Sequence, residues 1–529
     1  MQTKLSLQQA LRQCYSRGEM DYWMAPLIRV VGGKPVGKIG NGDSLFFCCR
    51  RGDRETQLTE AFADPGFGHF EVEPMPDLAV VPLVQFHEKF ADLPTIFPVL
   101  RPAGTMGEAL GLAGVAQTRI AESEKAAHVT FFFNGRRVAP YSNEQWVTVP
   151  SPHSSEFLSK PATSTMEVAF EVERAMVVAH IEAEARDRHF ILVNLAAGDI
   201  IGHLDDWDAN ILCAEAVDQA LSKICTSAAE HGYVVAVTAD HGLLERFVNE
   251  DGSHNLSHTR SRVPFGLVLP PGGSPAQLYA ADDATLADVA PTLLSMMGIP
   301  VPDGMTGKCR GAFQGIYGKV VMVVLDGWGI GVDDPAVNPI VTANTPCMDR
   351  IANQGPYITL AAAGLAVGLP EGRSGNSETG HLTLGAGRVV PQDELRIGQA
   401  IRDGELKENE AVNYGFDSAR KHGGDVHVIM MLSERSSHGN MDEALAVLQA
   451  AVHRGITKAW LHVILDGRSS PPQGAVDMLE LLAARIPPGI RAEAVTAMGR
   501  AYALDRSGSY REKTQVAYRA LVEGEGRKY

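Results

Sequence analysis

Three groups of residues in this 529-residue chain have types and spacings that could do chemistry. The first comprises Asp199 and His203 in GDIIGH, the adjacent Asp240 and His241 in TADHG, and His258 in NLSHTRSRVPF. Carboxylate oxygen and imidazole nitrogen together suit borderline divalent cations such as Mn²⁺ or Zn²⁺. A lone DxxxH is more often a surface pair, whereas an Asp-His-Gly triplet straight after an apolar run is a stronger signal. The second group is Asp326 in VVLDGWG with Ser377 in RSGNSETGH. A serine opening a helix can bind a metal through its oxygen and attack phosphorus, since the helix N-terminus favours phosphate. The plain alternative is a helix N-cap. The third group is cationic: Arg51 and Arg54 in CCRRGDR, Lys125 in ESEKAAHVTFFFNG, Arg468 in DGRSSPP, and Arg500 and Arg506 in GRAYALDR. Arginine grips carboxylate and phosphate through paired hydrogen bonds, so these cations, if they converge, suit a small phosphorylated acid. Scattered, they are solvated surface charges.

Such residues need elements to position them. Short apolar runs end abruptly in a polar residue: FILVNLAAGD at Asp199, YVVAVTADHG at Asp240 and His241, KVVMVVLDGWG at Asp326, DVHVIMMLSERSSHG at His438 and AWLHVILDGR at Asp466. These read as buried parallel strands. Between them, AEAVDQALSKICTSAAEHG and MDEALAVLQAAVHRG carry apolar residues at helical spacing and stop at Gly232 and Gly455. Alternating strands and helices predict an α/β fold with doubly wound sheets, whose chemistry lies at the carboxyl ends of the strands. KCRGAFQGIYGK, from Lys308 to Lys319, reads as a linker, and no internal repeat or low-complexity tract interrupts the pattern.

Length favours two or three domains at about 150 residues each. With 45% hydrophobic and 21% charged residues the composition is globular. The net charge of −16 argues against nucleic acid or an anionic membrane as partner and leaves room for a local basic pocket. The 7 cysteines show no paired or zinc-finger spacing, and the start of the chain carries no apolar stretch of signal-peptide length. The expectation is a soluble, reduced, cytoplasmic protein.

Taken together, the motifs LDGWG, GNSETGHLTLGAGRVV, LDGR followed by PP, GRAYALDR, AESEKAAHVTFFFNG, VPSP, GDIIGH, TADHG and SHTRSRVPF resemble those of the cofactor-independent (2,3-bisphosphoglycerate-independent) phosphoglycerate mutases of the alkaline phosphatase superfamily. In that family LDGWG lies near the N-terminus and SHTxxxVPF near the C-terminus, whereas here SHTRSRVPF comes first. The chain therefore resembles a circular permutant, joined through 308–319. The resemblance implies two doubly wound domains: an alkaline-phosphatase-like metal-binding domain over 100–391, and a phosphotransferase-like substrate domain split into 392–529 plus 1–99. Met1 and Tyr529 are then expected close together, with hinges near 99–100 and 391–392 that let the domains close and exclude water.

Residue by residue, the resemblance implies that Asp199, His203 and His258 hold one metal, and Asp240, His241, Asp326 and Ser377 the other. Ser377 is the implied nucleophile, passing through phosphoserine. Lys125 stabilises the transferring group, and His438, Arg468, Arg500, Arg506, Arg51 and Arg54 bind substrate. The implied cofactors are two divalent ions, Mn²⁺ foremost, with Zn²⁺, Co²⁺ or Mg²⁺ as alternatives, and no 2,3-bisphosphoglycerate. The implied partner is a small anionic phosphorylated substrate, acted on by a monomer in glycolysis, with neither nucleic acid nor membrane. Two departures matter. The family's GGVHSH is RSSHGN here, putting Arg435, Ser436 and Asn440 at altered positions, and its DGRD is DGRS, so the family's general acid and base is Ser469. Three readings follow: a phosphomutase on 3-phosphoglycerate or a close analogue; a phosphohydrolase, because Ser469 cannot act as a base near neutral pH; and a non-catalytic binding protein.

Overall fold

The computed structural model describes residues 6–50, 52–181 and 187–529. The fold is mixed α/β, with two compact units: one of residues Leu100–Leu395, the other of Met1–Val99 with Arg396–Tyr529.

In the continuous unit a seven-stranded sheet runs in the order Tyr357–Leu360, Val263–Val268, Val234–Thr238, Lys319–Leu325, His189–Leu195, Ala116–Glu122, Glu144–Val149. The last five are mutually parallel; Val263–Val268 runs antiparallel to them, and Tyr357–Leu360 pairs antiparallel with Val263–Val268. Lys319–Leu325 is flanked by parallel neighbours on both sides, and residues 320–325 are buried. This explains its continuous Val-Val-Met-Val-Val-Leu run: a strand covered on both faces has no polar side to alternate with. Helix Trp207–His231 begins at Asp206, whose side chain accepts from the Ala209 N–H, and ends at Gly232 with φ 75°. Its Val217, Leu221, Ile224 and Ala228 join the core beneath the sheet.

The segment 308–319 carries secondary structure of its own. Gly311–Phe313 pairs antiparallel with Ala276–Leu278. Arg310 is buried, with ion pairs of 2.8 Å to Asp288 and 2.9 Å to Asp283. The linker thus contains a short strand beside a buried cation.

The other unit interleaves the two ends of the chain in one sheet, in the order Arg527–Lys528, Leu27–Ile28, Arg491–Gly499, Lys458–Leu465, Val426–Leu432, Ser44–Cys48, Ala79–Pro82. The five strands from Arg491–Gly499 to Ala79–Pro82 are parallel, and Leu27–Ile28 runs antiparallel to Arg491–Gly499. Tyr529 closes the edge: its N–H donates to Ile28 O at 2.9 Å, and its carbonyl accepts from the Val30 N–H at 3.0 Å. Met1 lies outside the described residues; Ser6 and Tyr529 line one cavity.

All 7 cysteines are free thiols, and only Cys309 is exposed. Among the described residues no helix is long and apolar enough to cross a membrane.

Candidate active site

Four parallel strands of the continuous unit deliver the chemical residues at their carboxyl ends. Lys125 follows Ala116–Glu122, Asp199 follows His189–Leu195, Asp240 and His241 follow Val234–Thr238, and Asp326 follows Lys319–Leu325. There the backbone leaves the sheet and side chains can turn toward a common point. Ser377 is the first residue of helix Ser377–Ala386. The cap is Asn376, whose side chain accepts from the Thr379 N–H at 2.9 Å, so the Ser377 hydroxyl is released from capping.

The buried Ser377 Oγ meets three of these residues. Lys125 Nζ donates to it at 2.7 Å, it donates to Asp326 Oδ1 at 3.1 Å, and His241 Nε2 lies at 3.0 Å. Asp240 Oδ2 is 3.6 Å from His241 Nε2. A second group gathers around Asp199 Oδ1, with His258 Nε2 at 3.0 Å, His203 Nε2 at 3.4 Å and His241 Nε2 at 3.6 Å. All seven residues of the expected metal set therefore lie together.

The donor arrangement suits cations. His203 Nδ1 faces Leu256 O and His258 Nδ1 faces Gly375 O, each at 2.9 Å, so each Nδ1 carries a proton and each Nε2 is turned inward. Those two Nε2 atoms are 3.1 Å apart beside one carboxylate oxygen. Two N–H groups cannot both occupy that gap, whereas two lone pairs and a carboxylate can share a metal ion. Asp199 Oδ1 and Asp240 Oδ2 are buried without a well-aligned hydrogen bond among the described residues, as expected of oxygens that await a cation.

Charge compensation shows in the protonation of these groups. Burial alone lowers the Lys125 pKa, but the carboxylates of Asp326, Asp199 and Asp240 outweigh it and raise Lys125 above its ordinary value. Burial alone raises Asp326, yet Lys125 and His241 hold it well below the usual carboxylate range. His241 is pushed up to about 9: burial opposes the proton, and Asp240, Asp326 and Asp199 more than restore it.

Two further residues belong to this site. His381 sits one helical turn after Ser377, within hydrogen-bond reach of Ser377 O at 2.9 Å and 3.2 Å from Asp240 Oδ2. Asn194 Nδ2 donates to Asp326 Oδ2 at 2.7 Å and lies 3.1 Å from His381 Nε2. Both His381 nitrogens thus face protein groups, so this side chain braces Asp240 and the serine backbone. The Ser-x-x-x-His spacing was the available signal, since residues four apart share a helix face. Asn194 had none, being one polar residue inside an apolar strand.

The cationic group divides between the units. Lys125 stands with Ser377; the arginines belong to the discontinuous unit. There Arg500 is buried, ion-paired to Asp466, and its Nη2 lies 2.8 Å from His438 Nε2. Arg54 donates to Leu504 O at 3.3 Å, Arg468 and Arg506 are exposed, and Arg51 lies outside the described residues. Asn440 caps helix Met441–His453 through a hydrogen bond from the Asp442 N–H at 2.9 Å, and Arg435 is exposed. Ser469 is exposed, and its N–H donates to Asp466 Oδ2 at 2.8 Å.

Comparison with known proteins adds independent findings. Residues 80–301 match the family model described as Metalloenzyme superfamily. Residues 1–88 and 397–529 match that described as BPG-independent PGAM N-terminus. Among curated proteins, the chain is 37% identical over 304 residues to the 2,3-bisphosphoglycerate-independent phosphoglycerate mutase of Salinibacter ruber, covering 56% of each chain. It is 37% identical over 303 residues to that of Nitrosococcus oceani, covering 57% of this chain and 56% of the relative. It is 38% identical over 311 residues to that of Chromohalobacter salexigens, covering 58% and 57%. The chain thus spans little more than half the length of the curated relatives it matches.

Proposed function

We propose that this chain, whose residues 80–301 match the Metalloenzyme superfamily model and whose residues 1–88 and 397–529 match the BPG-independent PGAM N-terminus model, is a metal-dependent phosphomutase. It moves phosphate between the hydroxyls of a small phosphorylated hydroxy acid, 3-phosphoglycerate or a close analogue. The observation that carries this reading is the placement of a buried serine oxygen within 2.7–3.1 Å of Lys125, His241 and Asp326 at the start of a helix.

Asp199, His203 and His258 would hold one divalent cation, and Asp240, His241, Asp326 and Ser377 a second, with Mn²⁺ the first choice for this oxygen and nitrogen set. When bound, such ions supply charge neutralisation and lower the pKa of the serine hydroxyl. The chain's own groups do the rest. Ser377 Oγ gives up its proton and attacks phosphorus; the bond from phosphorus to the glycerate oxygen breaks, and that oxygen takes a proton. The other glycerate hydroxyl then gives up its proton and attacks the phosphoserine; the bond from phosphorus to Ser377 Oγ breaks, and Ser377 Oγ takes a proton back. Lys125 Nζ, already 2.7 Å from Ser377 Oγ, accompanies the oxygen while negative charge develops. His438 and the arginines bind the carboxylate and phosphate of the substrate.

The permuted order is part of the same proposal. It is supported by the match of both chain ends to one family model, named for an N-terminus, and by the sheet in which strands from both ends are neighbours.

The test is purified protein with Mn²⁺ and 3-phosphoglycerate, scored for 2-phosphoglycerate and for free phosphate. Isomer without phosphate supports the mutase. Phosphate alone supports hydrolysis, which the loss of the aspartate at Ser469 makes the alternative outcome. Ser377→Ala is expected to lower turnover by at least about 10³-fold, as loss of a nucleophile does; retained turnover removes Ser377 from the reaction.

A further inference from the structure

The loops bearing the two ligand groups meet around a side chain that belongs to neither group. Glu245 follows the Asp240-His241 pair and is 1% exposed. Thr259, the residue after His258, donates its hydroxyl to Glu245 Oε1, and the Thr259 N–H donates to Gly242 O at 2.9 Å. Glu245 Oε2 is buried with no hydrogen-bond partner among the described residues.

The third loop closes on the same carboxylate. Gly329, in the LDGWG turn after Asp326, lies so close that a Cβ there would overlap the Glu245 carboxyl carbon. A Cβ on Gly242 would come within 2.7 Å of Glu245 Oε1, and one on Gly331 within 2.6 Å of the Glu245 carbonyl oxygen. Backbone bonds pull the same loops together, with the Leu243 and Leu244 N–H groups both donating to Gly327 O, at 3.0 and 2.9 Å. The glycines leave the space that Glu245 fills. Burying a carboxylate with one donor is costly, so an apolar residue here would serve stability alone better.

We propose that Glu245 is a positioning residue: acting through Thr259, it fixes His258 against the loops of Asp240, His241 and Asp326 and so sets the relation between the two ligand groups. This rests on the metal reading of the site, and the tests separate the two.

Thr259→Val keeps the shape and removes the hydroxyl; Thr259→Ser keeps the hydroxyl. In metal-free protein, backbone hydrogen exchange over residues 257–262 is expected to rise at least about threefold in Thr259→Val and Glu245→Ala, and to stay at the parental rate in Thr259→Ser. In Mn²⁺ titrations, Thr259→Val is expected to weaken one of two binding events by on the order of 10-fold, the usual effect of losing a group that orients a ligand, with thermal stability little changed. Unchanged exchange in Thr259→Val, or Mn²⁺ affinity that falls only in step with thermal stability, overturns the proposal. If the parent protein takes up no Mn²⁺, the metal reading falls and the exchange measurement decides the role of Glu245 by itself.

Discussion

Ser377 and Ser469 show how much a single oxygen's surroundings decide. Ser377 is relieved of capping by Asn376 and met by an ammonium, an imidazole and a carboxylate. Ser469 is exposed, and its backbone rather than its hydroxyl contacts Asp466. If the proposed substrate is correct and position 469 limits the rate, Ser469→Asp restores a general acid and base. Steady-state turnover of 3-phosphoglycerate is then expected to rise about 10²-fold or more; an unchanged rate means that another group moves the proton. His241 gives a pH prediction whose sign follows from its pKa, raised to about 9 by Asp240, Asp326 and Asp199 against the opposing effect of burial. Below that pH the imidazole carries a proton that a metal ion must displace, so apparent Mn²⁺ affinity is expected to fall from pH 9 to pH 6 in calorimetric titrations. Affinity that does not change over this range removes His241 from the ligand set.

Helix Ser377–Ala386 owes its place to a missing side chain. A Cβ on Gly380 would come within 2.6 Å of Asp240 O and 2.7 Å of Asp240 Cβ, so the helix backbone lies directly against the loop that carries Asp240 and His241. Intrinsic propensity favours alanine over glycine in a helix by about 1 kcal/mol, whereas overpacking costs about 1–3 kcal/mol. The packing penalty is the larger, so Gly380→Ala is expected to lower the thermal midpoint and to weaken Mn²⁺ binding together. A stabilised variant with parental Mn²⁺ affinity would show that the helix can shift without disturbing the site. The strands make the complementary case. Lys319–Leu325 and Val426–Leu432 were legible because burial on both faces demands unbroken apolar sequence. The segment 308–319 reads as a linker, and that reading says nothing of Arg310's buried ion pairs with Asp288 and Asp283, which join residues more than twenty positions apart.

At the scale of the molecule, the discontinuous unit raises the question of where a chain can be cut. If the proposed permutation and function hold, a chain running 316–529 and then 1–315 is expected to fold and to turn over 3-phosphoglycerate as the parent does, because Ile316 is 74% exposed and exposed loops tolerate new ends. Circular dichroism and the phosphoglycerate assay check this; a chain that fails to fold counts against the permutation. By itself the amino-acid sequence determined the α/β alternation, the strands that lead to Asp199, Asp240, Asp326 and Asp466, and the residue types able to bind metal and phosphate, because burial and helical periodicity are local properties of sequence. Tertiary structure alone decided that Lys125 stands with Ser377 while Arg500 pairs with Asp466, that Asn376 rather than Ser377 caps its helix, and that His381, Asn194 and Glu245 brace the loops. Most of these contacts join residues far apart in the chain, as Lys125 with Ser377 and Asn194 with Asp326, and are set by which strands become neighbours; the local ones, Asn376 with Thr379 and His381 with Ser377, depend on where the helix begins.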